Sequence, residues 1–312
     1  MSRIVLGTRG SDLARAQTSM VEAALRSAHP GLRVEWKIIT TRGDERAAPV
    51  AEPLDRRAGR KGLFTSEIER ALLEKQIDVA VHSAKDLPSD ASAGLEICAA
   101  LPRAAVEDVL VAKEDCDAAS LPVGATIATG SVRRQHQLRG WRSDVTIVDV
   151  RGNVPTRLRK LAANNWQGII LARAGLERLG FDCSGRELRF EANAFTVSVL
   201  PRNRFLPAGG QGIVALQVRA DDTETKPLAA SVSHLETLLC LRAEREFLRL
   251  LQGDCGTPVG VLATIQSGMM EMRAEVFDEH GGERRTGSLR KLLQEAEPEE
   301  IGAELLERIN GR

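Results

Sequence analysis

Tyrosine is absent from the 312 residues, and aromatic side chains together make up only 3%. That scarcity weakens any reading in which bases stack on successive aromatic platforms. An excess of either charge is also missing, because 43 Lys and Arg balance 43 Asp and Glu. A neutral chain is not a general polyanion coat, although a local basic cleft stays open. No run of about 18 apolar residues occurs, so no transmembrane helix is implied. The opening MSRIVLGTRGS has too short an apolar stretch for a secretory signal. Cys98, Cys116, Cys183, Cys240 and Cys255 are an odd number without a CxxC pair, which argues against a disulfide framework or a zinc site. The expectation is a reduced, cytoplasmic protein with no metal and with neither a nucleic acid nor a membrane as partner.

What is present is a repeated strand–helix grammar. Arg3–Leu6 reads as a strand, and Ser11 caps a helix running to about Ala28. Val34–Thr40 and Ile77–Val81 read as strands, and Ser66 with Glu69 reads as a capping box. Thr126–Ala128, Val145–Val150 and Gly168–Ala172 repeat the pattern. Such units predict parallel sheets covered by helices. Breaks at Pro102–Asp108 and Pro201–Gly212, with a strand at Ile213–Val218, predict two α/β lobes joined by hinges. The chain crosses back late to complete the first lobe. Beyond it, Leu235–Leu251 and Glu299–Ile309 read as helices, and Val259–Ile265 and Met270–Val276 as strands, giving a small α+β domain. The expected division is 1-103 plus 206-222, 104-205, and 223-312.

In parallel α/β sheets ligands bind beyond the carboxyl ends of the strands. The residues there are Arg9 and Ser11; Arg42; His82, Ser83, Lys85 and Asp86; Ser131, Arg133 and Arg134; Arg151 and Arg157; Arg173 and Arg178. Cations recur at these ends although the whole chain is neutral, which predicts an interlobe site for a polyanion. Arginine suits bidentate contact with carboxylate, and Ser11 and Ser131 stand at helix starts that favour anions. Thr41–Gly62 lacks periodicity and is either a surface loop or a lid carrying Arg57 and Lys61. Asp86, alone among cations, is a salt-bridge partner, a general acid/base, or the group that stabilises a cationic intermediate. Cys255 lies on a glycine-rich turn where a nucleophile or an attachment thiol is open alongside an inert thiol. Gly209–Gly212 has neither Walker nor GxGxxG spacing and reads as a close-packed turn. His82 reads as a hydrogen-bonded structural histidine.

These residues fall within ordered motifs: TRGSDLA (Thr8–Ala14), TRGD (Thr41–Asp44), RKGLF (Arg60–Phe64), AVHSAKDLP (Ala80–Pro88), SVRRQ (Ser131–Gln135), RGNVPTRL (Arg151–Leu158), LARAGLERLG (Leu171–Gly180), PAGGQG (Pro207–Gly212) and GDCGTPVG (Gly253–Gly260). In that order, over essentially the whole chain, the sequence resembles the porphobilinogen deaminase (hydroxymethylbilane synthase) family. The resemblance implies two lobes like those of type II periplasmic binding proteins, plus a small α+β C-terminal domain. It implies a transferase that condenses porphobilinogen stepwise into linear hydroxymethylbilane, releasing ammonia, in tetrapyrrole biosynthesis. It implies a dipyrromethane cofactor held by a thioether to the cysteine that Cys255 matches, and Asp86 as the catalytic carboxylate. Ser83, Lys85, Ser131, Arg133 and Arg134 match groups that hold the cofactor. Arg9, Ser11, Arg151, Arg157, Arg178, Lys61 and Phe64 match groups around the substrate. Arg57, Ala84, Gly130 and the long Phe195–Leu206 segment depart from the family pattern, and none of them touches Asp86 or Cys255. A monomer is expected. The competing readings are a two-lobed anion receptor without catalysis and a cysteine hydrolase, which would need a histidine near Cys255.

Overall fold

The computed structural model describes residues 3–40, 65–252, 258–278 and 284–311. It contains three sheets. The first has the order β2-β1-β3-β11-β4, formed by β1 (Arg3–Thr8), β2 (Arg33–Ile38), β3 (Val79–Ser83), β4 (Leu95–Ala100) and β11 (Val214–Arg219). β2, β1 and β3 run parallel, and β11 lies antiparallel between β3 and β4. The second has the order β7-β6-β8-β5-β10-β9, formed by β5 (Asp108–Ala112), β6 (Thr126–Ala128), β7 (Thr146–Val148), β8 (Gly168–Ala172), β9 (Glu187–Phe190) and β10 (Asn193–Val199). Again three strands run parallel, and a fourth, β5, lies antiparallel beside them. The lobes therefore share one topology, the type II binding-protein arrangement that the resemblance implies, and the antiparallel strand in each adjoins a hinge crossing.

Sequence pattern explains the layers. Ile4 and Leu6 of β1 alternate inward onto Val21 and Leu25 of the helix Asp12–Ala28, in one core with Val79, Val81, Val214 and Leu216. Ser11 caps that helix by accepting from the Ala14 N–H at 3.3 Å. β5 is buried along its whole length, with Val109 and Val111 in one core and Leu110 and Ala112 in another. A strand covered on both faces reads as an unbroken apolar run. Ala229, in the helix Thr225–Ala230, packs into the first lobe's core. The expected boundary at 223 thus falls before a helix that belongs with the first lobe.

The third sheet is a meander of β12 (Val259–Gln266), β13 (Met269–Phe277) and β14 (Arg284–Leu292). The helices Leu235–Leu250 and Pro298–Ile309 cover it through Phe247, Met272, Ile301 and Leu305. β14 was not expected, because RRTGSLRKL buries only Leu289 and reads as a charged loop. A second expectation also fails. Thr65, not Ser66, is the N-cap of the helix Ser66–Leu73, and the Glu69 carboxylate accepts from Ser92 at 2.8 Å and Gln217 at 3.1 Å. Tertiary contacts have taken the capping-box partner. Among the described residues no helix is long and apolar enough to cross a membrane.

Candidate active site

The parallel strands of both lobes end at the junction between them. In the first lobe, β3 runs into a single 3-10 turn, Ala84–Asp86, closed by the Leu87 N–H to the Ala84 carbonyl at 3.2 Å. The turn rests on Gly210, whose φ of 72° and close approach admit no side chain, since a Cβ there would lie 2.9 Å from the Lys85 nitrogen. Gly209–Gly212 is therefore the close-packed turn expected. Asp86 is exposed, while Ala84 beneath it is buried. Lys85 keeps part of its surface open to solvent. Burial of its ammonium pushes its pKa down to about 8, opposed by Asp86 and Asp108 and reinforced by Arg134 and Arg157. Burial likewise lowers His82 to about 4, so the neutral ring donates Nε2–H to Gln217 Oε1 at 3.0 Å. That is the structural role expected of it. Ser83 pairs with the Gln17 amide, and Arg9 is half-buried just past β1.

The second lobe brings its cations to the same junction. Ser131 caps the helix Val132–Trp141 by accepting from the Arg134 N–H at 3.5 Å, and Asn153 caps Val154–Ala163 by accepting from the Thr156 N–H at 2.9 Å. Arg133 and Arg134 are buried at 4% and 6% exposure and turn inward. Arg133 Nη2 donates to Asp108 Oδ2 at 2.8 Å and Arg134 Nη2 to Asp108 Oδ1 at 2.7 Å. Arg133 Nη1 also reaches the Leu206 carbonyl, and Arg134 Nη1 the Ile170 carbonyl. Burial works against the Asp108 charge, but the two guanidiniums outweigh it and hold the carboxyl well below the usual carboxylate range. Arg157 donates Nε–H to the Gly152 carbonyl at 2.7 Å, and burial, then Arg134, lower it to about 10. Arg178 bridges the lobes by donating to the Gly212 carbonyl at 2.7 Å. Arg151 is exposed and pairs with Asp149 at 3.0 Å.

The structure thus brings Lys85, Asp86, Arg134 and Arg157 into one electrostatic neighbourhood, with Arg178 at its hinge side. Arg151 stands at the rim. Cys255, Lys61, Phe64, and the segment Thr41–Gly62 with Arg42 and Arg57 lie outside the described residues. Among the described residues the Nε atoms of Arg133, Arg134 and Arg178 are buried without a hydrogen-bond partner, and no group of His, Cys, Asp or Glu could hold a metal ion. Partly desolvated cations around an open turn can bind multiple carboxylates, and the carboxylate on that turn can stabilise positive charge among them.

Sequence reasoning missed the two carboxylates that hold this arrangement. Asp108 also accepts from Gln211 Nε2 at 3.0 Å. Fully buried Glu244 accepts from Arg103 at 2.7 Å and from the Gly210 and Ala263 backbone N–H groups, both at 2.7 Å, tying hinge, first lobe and third sheet together. A signal for Asp108 exists: an acidic residue opening the wholly apolar strand DVLVA must be paired.

Two family models match this sequence. "Porphobilinogen deaminase, dipyromethane cofactor binding domain" covers residues 4–227, and "Porphobilinogen deaminase, C-terminal domain" covers residues 238–311. The porphobilinogen deaminase of Syntrophomonas wolfei is 41% identical over 305 residues, covering 98% of this chain and 94% of that one. That of Roseiflexus sp. is 44% identical over 273 residues, covering 88% and 85%. That of Moorella thermoacetica is 39% identical over 316 residues, covering 100% and 94%.

Proposed function

Because the chain belongs to the porphobilinogen deaminase family, we propose that the interlobe face is its active site and Asp86 its catalytic carboxylate. The enzyme is a transferase of tetrapyrrole biosynthesis that joins porphobilinogen units stepwise into linear hydroxymethylbilane with loss of ammonia. One observation carries the site assignment. Asp86 lies exposed on its turn beside Lys85, with Arg157 of the other lobe close enough to act on both and Arg134 close enough to act on Lys85.

The residues present fit the family's dipyrromethane cofactor. Arginine Nε groups buried without partners and a desolvated Lys85 ammonium are donors and charge that a polycarboxylate satisfies. When bound, the dipyrromethane supplies the primer that is extended, tethered by a thioether to Cys255. Lys85, Ser83, Ser131, Arg133 and Arg134 would hold it, while Arg9, Ser11, Arg151, Arg157, Arg178, Lys61 and Phe64 would hold the acetate and propionate groups of porphobilinogen. Asp86 stabilises the positive charge that develops on the substrate pyrrole as its amino group departs. A carboxylate already in place does this without the reorganisation that water requires. Lys85, Arg134 and Arg157 neutralise the carboxylates that would otherwise compete for that charge. Each pyrrole adds two carboxylates, so growth demands a broad rather than a single cationic site.

The packing of Ala229 supports a division into 1-103 with 206-230, 104-205 and 231-312, the expected boundary at 222 moving to Ala230. A cytoplasmic monomer is the state proposed. Burial raises the Cys98 and Cys240 thiols to about 12 and Cys183 to about 11, and burial with the nearby Glu114, Asp117 and Asp115 raises Cys116, which disfavours their thiolates and supports Cys255 as the attachment thiol.

The test is denatured intact-mass measurement of wild type and Cys255→Ser, each incubated with porphobilinogen. A mass added to wild type, equal to two linked pyrroles and absent from Cys255→Ser, is expected. A wild type that never gains it, and does not consume porphobilinogen, would leave an anion receptor instead.

A further inference from the structure

Gln137 lies one helical turn beyond Arg133, buried at 3% exposure where the second lobe meets the third sheet. Both ends of its amide are engaged. Oε1 accepts from Arg133 Nη1 at 2.8 Å, and Nε2 donates to the Leu206 carbonyl and to Glu275 Oε2, both at 2.9 Å. Glu275 belongs to β13, is buried, and is ion-paired with Arg284 of β14. Contact is close because β12 carries a glycine there. A Cβ on Gly260 would lie 3.0 Å from Gln137 Nε2 and 2.9 Å from the Leu206 carbonyl oxygen. His136, the neighbouring residue, packs against Phe277 with ring centroids 5.4 Å apart and the planes tilted by 34°.

We propose that Gln137 is a positioning residue through which the third sheet, by way of Glu275, fixes Arg133 on Asp108 and so sets the arginine pair of the interlobe face. An amide has one acceptor end and one donor end, and an ionised carboxylate only accepts. Glu275, together with the Leu206 carbonyl, therefore dictates which way the amide lies. Turned over, its oxygen would meet the Glu275 carboxylate and the Leu206 carbonyl, and its NH2 would meet the Arg133 guanidinium. The charge on β13 thus selects the orientation that offers Arg133 an acceptor. With Arg133 held there, one Asp108 oxygen is left for Arg134. The third domain, which on the proposed function carries the cofactor thiol, in this way also sets the anion-binding arginines of the second lobe. This inference rests on that function.

The test is a charge swap in the full-length protein. Gln137→Glu sets a carboxylate against Glu275 and against the Leu206 carbonyl, so the side chain must turn from both and no longer holds Arg133 in place, and adding Glu275→Gln restores a donor opposite it. Loss of a hydrogen bond to a charged group predicts that Gln137→Glu raises KM for porphobilinogen about tenfold while kcat stays within about twofold. The double variant returns KM to within about threefold of wild type. Uptake of the covalent adduct by cofactor-free protein, followed by intact mass, slows in the single variant and recovers in the double. Gln137→Met, which keeps the volume without an amide, raises KM as well and gains nothing from Glu275→Gln, so a failure of Gln137→Glu to fold leaves the idea open to refutation. Wild-type KM and uptake in both Gln137 variants overturn it, as do losses in Gln137→Glu that Glu275→Gln does not relieve. A wild type that neither takes up the adduct nor consumes porphobilinogen instead removes the proposed function, and this inference with it.

Discussion

The two sides of the interlobe face hold charge in opposite ways. On the first lobe, Asp86 stands exposed on a one-turn helix, and Lys85 beside it titrates near 8. On the second, the guanidiniums of Arg133 and Arg134 are sunk beneath the surface and share one buried carboxylate. An open carboxylate and a lysine at the surface of a short turn are within reach of the reacting end of a substrate. Arginines pinned to Asp108 present donors at fixed places. The contrast assigns chemistry to the first lobe and recognition to the second.

Substitution of Asp86 should break the contrast most severely. Asp86→Asn keeps the turn but removes its charge, and kcat is expected to fall about 10²–10⁴-fold with the melting temperature unchanged, as read by porphobilinogen consumption and calorimetry. A fully active Asp86→Asn protein would end its catalytic assignment. Asp108→Asn should act the other way round, costing about 3–5 kcal/mol of stability because two buried arginines lose their counter-ion. The sign with pH follows from its depressed folded-state pKa. The contribution is present above the ordinary carboxylate range and is lost as pH falls below about 4, so acid should destabilise wild type more steeply than Asp108→Asn in denaturant titrations.

Two smaller effects sharpen the comparison. Lys85 discharges as pH passes about 8, so kcat/KM should fall roughly tenfold between pH 7 and 9 where substrate anions need that charge. Lys85→Arg should flatten this limb, and an unchanged profile would remove Lys85 from anion binding. Arg151→Ala deletes an exposed ion pair at the rim, and stability should stay within about 0.5 kcal/mol of wild type, with at most a modest rise in KM. A large stability loss there would mean that recognition and structure are not separated as described.

Much of this face could be read in the sequence, for reasons that differ by residue. Ser11 and Ser131 stand immediately before helical patterns, and both cap those helices. Thr126–Ala128 and Gly168–Ala172 agree with the expected strands at both ends, since short apolar runs bounded by polar residues leave little freedom. Arg133 and Arg134 were legible as site cations but not as a buried pair, because burial depends on a carboxylate 25 residues away in sequence from Arg133. Glu244 was hidden for the same reason within an amphipathic helix. β14 escaped because its charged side chains satisfy themselves on an edge, among them the pairs of Arg290 with Glu271 and Lys291 with Glu304. Ser66 illustrates the limit of local rules, since Glu69 found better partners in Ser92 and Gln217 than in the helix start.

The place of β11 between β3 and β4 has a consequence for how the chain comes off the ribosome. β3 and β4 are close in sequence, yet each pairs with a strand that is made more than a hundred residues later. The second sheet draws all of its strands from one uninterrupted stretch, 108 to 199. During synthesis the second lobe can close while the first still waits with an open seam, its β4 unattached. The lobe that bears the chemistry is therefore the last of the two to be completed, and an unfinished nascent chain exposes bare strand edges at that seam.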